Sequence, residues 1–208
     1  FEVSVFADPS GAFTTAAGMV AITEKHLNDK FSQNLDKSNV VILGGTGPVG
    51  VASAVICAKA GASVTLVGRS LEKAEKIAGI CNDRYDSKNV KGGADADKSD
   101  FFNVADIVLN TGAAGIQLMS EEHIKNSNTL KICADTNAVP PSGIAGVDVM
   151  DNGKVIDMSP SKCLGIGALA IGNIKYKSQH ECLKLMYTSE KPVYLDFEDA
   201  FKFAQKSV

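Results

Sequence analysis

Glycines at 45, 47 and 50, spaced Gly-x-Gly-x-x-Gly, lie between an apolar run, Val40-Val-Ile-Leu43, and an Ala/Val-rich helical pattern. Three glycines at this spacing answer three needs of a strand–turn–helix that holds a pyrophosphate. These are a tight turn, close approach of backbone to phosphate, and close helix–strand packing. The helix start adds free N–H groups and a partial positive charge. Pro48 suits the place, because proline in a first helical turn sacrifices no hydrogen bond. A glycine-rich turn without a ligand accounts for one of these glycines, not for three. The pattern predicts Gly45, Thr46, Gly47, Pro48, Val49 and Gly50 as dinucleotide contacts.

The next apolar run, Ser63-Val-Thr-Leu-Val67, ends in Gly68-Arg69-Ser70 rather than in an acid. In this kind of site an acid about 20 residues past the glycines binds a ribose 2′-hydroxyl, whereas an arginine accommodates a 2′-phosphate. The expected cofactor is therefore NADP, held by Arg69 and Ser70, with Lys73 one turn further on. A guanidinium matches phosphate with two parallel hydrogen bonds. The competing reading of Arg69 is an ordinary exposed arginine.

Ligands of open parallel sheets bind outside the carboxyl ends of strands. On that ground Thr111, Gly112 and Ala113, after the strand Asp106–Asn110, are expected beside the nicotinamide ribose; a plain glycine turn is the alternative. Asp135 and Asn137 follow the strand Leu130–Ala134 and are expected near the nicotinamide, or else as Asx side chains capping a turn. Pro140-Pro141 fixes the path of the loop after them. Lys175 follows the run Gly165–Gly172 and could hold an anionic or carbonyl group of a substrate. Lys177 reads as a solvated helix face. No Ser/His/Asp arrangement and no Tyr-x-x-x-Lys motif is evident. Hydride transfer needs chiefly the positioning of two rings.

The elements that must position these residues alternate. Strand 40–44 precedes helix 48–60, closed by Gly61. Strand 63–67 precedes helix 71–84, with Leu71, Ala74, Ile77, Ala78 and Cys81 on one face and Glu72, Lys73, Glu75 and Lys76 on the other. A short strand near Val90, a short helix over Asp97–Asn103, strand 106–110, helix 120–125, strand 130–134 and strand 154–158 follow. The small apolar run 165–172 leads into a helix through about Tyr187, and Asp196 caps a last helix. Before all of these, Phe1–Phe6 alternates like a strand inside a sheet, and a helix through Phe31 is expected with Thr14 or Thr15 as its cap. The rhythm predicts an α/β protein, a Rossmann-type parallel sheet with helices on both faces.

Composition bounds the rest. The 208 residues are 45% hydrophobic, enough for a proper core, and the net charge of −3 gives no electrostatic case for nucleic acid. No apolar run approaches the roughly 20 residues needed to cross a bilayer. Five scattered cysteines without CxxC spacing, and three isolated histidines, suggest no disulfide framework and no metal site. A cytoplasmic protein, as a symmetric homo-oligomer, is the expectation.

Five segments in order carry a more specific likeness: Asp8-Pro-Ser-Gly-Ala-Phe-Thr-Thr-Ala-Ala-Gly18, Gly45-Thr-Gly-Pro-Val-Gly50, Gly68-Arg69-Ser70, Ala134-Asp-Thr-Asn-Ala-Val-Pro-Pro-Ser-Gly143 and Gly165-Ile-Gly-Ala-Leu-Ala-Ile-Gly172. Together they resemble the NAD(P)-dependent methylene-tetrahydromethanopterin dehydrogenases, relatives in fold of the methylenetetrahydrofolate dehydrogenases. The resemblance implies a one-carbon oxidation: the methylene bridge of a reduced pterin substrate becomes a methenyl group, and hydride passes to NADP. It carries over Gly45 to Gly50, Arg69, Ser70 and Thr111 as cofactor contacts, and Lys175 as a lysine pointing to an interdomain cleft. It also implies that residues 1–31 are the end of an N-terminal substrate domain and a connecting helix. Residues 39–172 would then form the NADP-binding domain, and residues 173–208 helices packing back on the interdomain region. A chain beginning at Phe1 would lack most of that first domain. A quinate/shikimate-type dehydrogenase and a non-catalytic NADP-binding module are the alternatives.

Overall fold

The computed structural model describes residues 2–208. The expected strand at Phe1 therefore lies partly outside the described residues. Its visible part is short: β1 (Val5–Phe6) pairs in parallel with β9 (Tyr194–Leu195) as a separate two-stranded ribbon, not inside the main sheet.

The main sheet has seven strands. They are β2 (Asn39–Leu43), β3 (Ser63–Gly68), β4 (Val90–Ala94), β5 (Ile107–Asn110), β6 (Ile132–Asp135), β7 (Asn152–Val155) and β8 (Leu164–Ile166). Their order is β4-β3-β2-β5-β6-β8-β7, parallel throughout except for β7, which runs against β8. The strand β8 lies in a stretch expected only to lead into a helix. Its Leu-Gly-Ile is too short to show a period. The β7 strand begins two residues earlier than expected and ends at Val155.

The strand β2 is buried on both faces, as its unbroken apolar run requires. Val40 and Ile42 point into one core, Val41 and Leu43 into the other. The first core is roofed by α1 (Ala12–Phe31), α2 (Pro48–Lys59), α3 (Leu71–Tyr85), α6 (Ala168–Thr188) and α7 (Phe197–Ser207). The second lies under α4 (Lys98–Phe102), α5 (Glu121–Asn126) and the loop around Ile144 and Val147. Helix α2 is buried nearly all round, so its alanines and Gly50 bring backbone close to the sheet. Helix α3 keeps Ala74, Ala78 and Cys81 inward, but Leu71, expected on the same face, is 45% exposed. It sits at the first helical position, outside the strip that reaches the sheet.

Helix α1 begins at Ala12, and neither Thr14 nor Thr15 caps it. The Asp8 carboxylate does so instead, accepting hydrogen bonds from the Phe13 and Thr14 N–H groups at 2.9 and 3.1 Å and from the Thr14 hydroxyl at 2.7 Å. The turn Pro9–Gly11 folds the acid back over the helix end, with Gly11 at φ 69°. Asp196 caps α7 as expected, in a reciprocal box with Asp199. Residues 172 and 173, the expected domain boundary, lie within the continuous helix α6.

Candidate functional site

From β2 the chain crosses to β3 and β4 on one side, and later from β5 to β6 and β8 on the other. The carboxyl ends of β2 and β5 therefore diverge, and the crevice between them is where such sheets take ligands. A cleft of about 420 Å³ opens there, lined by Gly44, Thr46, Gly47, Val67, Gly68, Arg69, Asp95, Thr111, Gly112, Ala113, Ile116 and Leu118.

The glycines divide their work differently from expectation. The left-handed turn belongs to Gly44, at φ 66°, not to Gly45. A side chain on Gly44 would also meet the Gly112 Cα at 2.6 Å, so β2 and β5 deliver their loops backbone to backbone. Gly45 is closed off by Leu66, and Gly50 packs against Gly45, where an added Cβ would lie 2.6 Å from its Cα. Gly47 is the open one. A Cβ there would have only the Gly44 carbonyl oxygen within 4 Å, at 3.5 Å. Its backbone is thus bare toward the cleft, beside the α2 N-terminus, where Pro48 occupies the first turn. The Val49 and Gly50 N–H groups in that turn have no intrahelical acceptor. A cradle that any side chain would fill, at a helix N-terminus, fits a pyrophosphate.

Arg69 stands at the end of β3, exposed, in the cleft wall. No salt bridge among the described residues engages it. Ser70 is the N-cap of α3, its hydroxyl accepting from the Lys73 N–H at 3.3 Å. Its oxygen is therefore partly engaged, and Lys73 projects from the exposed first turn outside the cleft lining. Thr111 is fastened by its hydroxyl to the Leu43 carbonyl at 2.9 Å, which locks the β5 loop to β2.

Asp135 and Asn137 are not brought to the cleft. Asp135 is 1% exposed and accepts from the Asn110 amide at 2.7 Å, the Asn137 N–H at 2.9 Å and the Ile144 N–H at 3.0 Å. Asn137 accepts from Val139 and Gly115 N–H groups and donates to the Pro141 carbonyl, around a cis Pro140–Pro141 bond. These side chains shape the loop after β6 from inside. Lys175 is also outside the cleft lining. It is half-buried on α6, its ammonium 2.7 Å from where a Gly11 Cβ would be. Gly18 lets the α1 and α6 backbones meet beside it.

Sequence reading missed Gly44, Val67, Gly68, Asp95, Ile116 and Leu118. Gly44 was adjacent to the motif and ambiguous only in register. Asp95 lies at the carboxyl end of β4, where the sequence pattern was too polar to fix a strand. Gly68 admits the Thr46 methyl, which a Cβ would meet at 2.8 Å.

Sheet order, switch-point cleft and glycine turn define a Rossmann-type dinucleotide-binding protein. Solved structures agree on the fold. A quinate dehydrogenase from Corynebacterium glutamicum in complex with NAD superposes at TM-score 0.57 with 14% identity, covering 99% of this chain and 72% of that one. An L-alanine dehydrogenase does so at 0.58 with 15% identity, covering 86% and 55%. No family model matches the chain. Curated relatives are more specific. An NAD(P)-dependent methylenetetrahydromethanopterin dehydrogenase of Methylorubrum extorquens is 40% identical over 207 residues, 98% of this chain and 69% of the relative. The bifunctional protein MdtA of the same organism is 35% identical over 209 residues, 99% of this chain and again 69% of the relative. The chain belongs to the family of NAD(P)-dependent methylenetetrahydromethanopterin dehydrogenases.

Proposed function

We propose that this protein oxidises the methylene bridge of a reduced pterin, methylene-tetrahydromethanopterin or methylenetetrahydrofolate, to the methenyl form with NADP. The observation that carries the reading is one cleft that joins a bare glycine cradle to an unengaged arginine at the end of β3, in a chain of this family. In this reading the backbone N–H groups of Thr46, Val49 and Gly50 hold the pyrophosphate, the bare Gly47, whose own N–H donates to the Gly44 carbonyl, lets it approach, and Arg69 holds the 2′-phosphate. Thr111, Gly112 and Ala113 border the nicotinamide ribose. When bound, NADP supplies the hydride acceptor.

The substrate carbon sits between two nitrogens, so loss of hydride leaves a cation spread over both and no proton has to be removed. That accords with a cleft lining whose one carboxylate, Asp95, is already ion-paired. Lys175 donates to a carbonyl of the pterin from the seam of α1 and α6. Both helices present their N-terminal ends toward the carboxyl side of the sheet, since α1 leads down into β2 and α6 leaves β8. A cytoplasmic homo-oligomer serving one-carbon metabolism belongs to the same reading.

The test adds methylene-tetrahydromethanopterin, methylenetetrahydrofolate and shikimate in turn with NADP and follows NADPH absorbance. NADPH formed with a methylene pterin supports the reading; NADPH formed with shikimate alone ends it. Arg69→Asp should weaken NADPH binding at least about tenfold more than NADH binding, since a bidentate charged contact becomes a repulsion. Equal losses would place the 2′-phosphate elsewhere.

A further inference from the structure

An arginine and an acid share the cleft wall: Arg69 at the end of β3 and Asp95 just past the end of the neighbouring β4. Left to themselves, two opposite charges on one wall would pair or cancel, and the wall would offer nothing to an anion. They do not pair here. Asp95 is instead held by Lys98, whose ammonium lies 3.1 Å from Oδ1 and 3.3 Å from Oδ2. Lys98 is the more buried partner, with its side chain 18% exposed against 41% for Asp95. It reaches Asp95 from the first position of α4 and is not among the residues that line the cleft. The nearby acids Asp97 and Asp100 are both exposed.

We infer that Lys98 is a positioning residue that determines cofactor choice: by taking up the charge of Asp95 it keeps Arg69 free and leaves the wall net positive, which favours a 2′-phosphorylated dinucleotide. Arg69, Asp95 and the adjoining Lys98 then sum to one positive charge. Without Lys98 the sum is zero, and the uncovered carboxylate either repels the 2′-phosphate or claims Arg69 for itself. Both outcomes act against the phosphorylated cofactor and leave the unphosphorylated one nearly indifferent. This rests on Arg69 being the 2′-phosphate ligand.

The magnitude follows from Coulomb's law. One unit charge acting on another at about 6 Å, with an effective dielectric constant of about 40, changes binding roughly tenfold. The effect must shrink as salt screens it.

Titrating the protein with NADPH and with NADH tests the inference. Lys98→Met, which keeps the buried stem, should weaken NADPH binding about tenfold while NADH changes less than about twofold. Adding Asp95→Asn to Lys98→Met should restore NADPH binding to within about threefold of the parent, because the uncovered charge is gone. Asp95→Asn alone should leave NADPH binding as tight as in the parent or tighter, and if Lys98→Met does not fold, Lys98→Gln is compared in its place, alone and with Asp95→Asn. Equal losses of both cofactors in Lys98→Met, no recovery in the double variant, or weaker NADPH binding in Asp95→Asn would each overturn it. The two readings fail separately. An unchanged NADPH/NADH preference in Arg69→Asp removes the phosphate assignment itself. A shifted preference there, with none in Lys98→Met, removes only the role of Lys98.

Discussion

Asp135→Asn separates an internal brace from a cofactor ligand. The carboxylate of Asp135 takes two donors on Oδ1, from Asn110 and Asn137, and one on Oδ2, from Ile144. An amide of the same shape can keep its oxygen on the first pair, but its NH₂ then faces the Ile144 N–H. One charge-assisted bond is lost and a buried donor is left without an acceptor, together about 3 kcal/mol. For a chain of this length that lowers the melting temperature by roughly 6–12 °C, at about 2–4 °C per kcal/mol. The loop that contains Gly143 and Ile144 hangs on this brace, since the Gly143 carbonyl also accepts from the Leu118 and Met119 N–H groups. Leu118 lines the cleft, so NADPH affinity should fall only a few-fold, as a consequence of the loosened loop. Thermal melting and an NADPH titration on the same preparation decide the matter. A variant that melts with the parent but binds NADPH more than about tenfold more weakly would refute the brace, because a direct ligand loses affinity without losing stability.

The remaining expectations concern other parts of the molecule. Gly44→Ala should destabilise the fold by at least about 1–2 kcal/mol in urea, because it forces a left-handed residue and a clash with Gly112. Gly47→Ala should melt with the parent yet weaken NADPH binding, since its methyl enters open cleft. Burial, with a smaller contribution from Lys98, pushes the His123 imidazole below its ordinary 6.5, and its Nδ1 accepts from the Ser120 N–H at 3.1 Å. The unfolded chain thus binds the proton more readily, so this contribution to stability is complete above pH 6.5 and declines as the pH falls below it. His123→Gln should flatten the acid side of a stability–pH profile, and an unchanged slope would show that other groups set it. Burial pushes the Cys57 thiol up to about 12 and the Cys182 thiol to about 11, and all five cysteines are buried and free. A thiol reagent at pH 8 should label the native protein far more slowly than the urea-unfolded chain.

The fold was largely legible because its signals are local. Val40–Leu43 and Ser63–Val67 announce buried strands by composition alone, and Gly61 and Asp196 mark helix ends through their own backbone chemistry. Where position depended on partners far along the chain, the sequence was silent. The β1 and β9 strands are two residues each and exist only because each supplies the other's hydrogen bonds across nearly the whole chain. Asp8 caps α1 from outside the helix, through a turn that brings it back, so a search for the nearest Ser or Thr selects the wrong side chain.

The site divides along the same line. The cradle was legible because glycine advertises backbone proximity, and only the role of Gly44 was misplaced, by one residue in a run of two glycines. Asp135 and Asn137 misled because the carboxyl end of a strand is a statement about the Cα, not about the side chain. The strand's last side chain can turn into the core as readily as toward the crevice, and Gly143 leaves room for it to do so. The charges of the wall required the fold most. Arg69 and Lys98 are 29 residues apart in sequence, and their joint effect exists only because β3 and β4 are neighbours and α4 starts three residues past Asp95. A motif at the end of one strand can nominate the cofactor. Whether its arginine is free to act depends on what the next strand places beside it, and here that is an acid whose charge is taken up by Lys98.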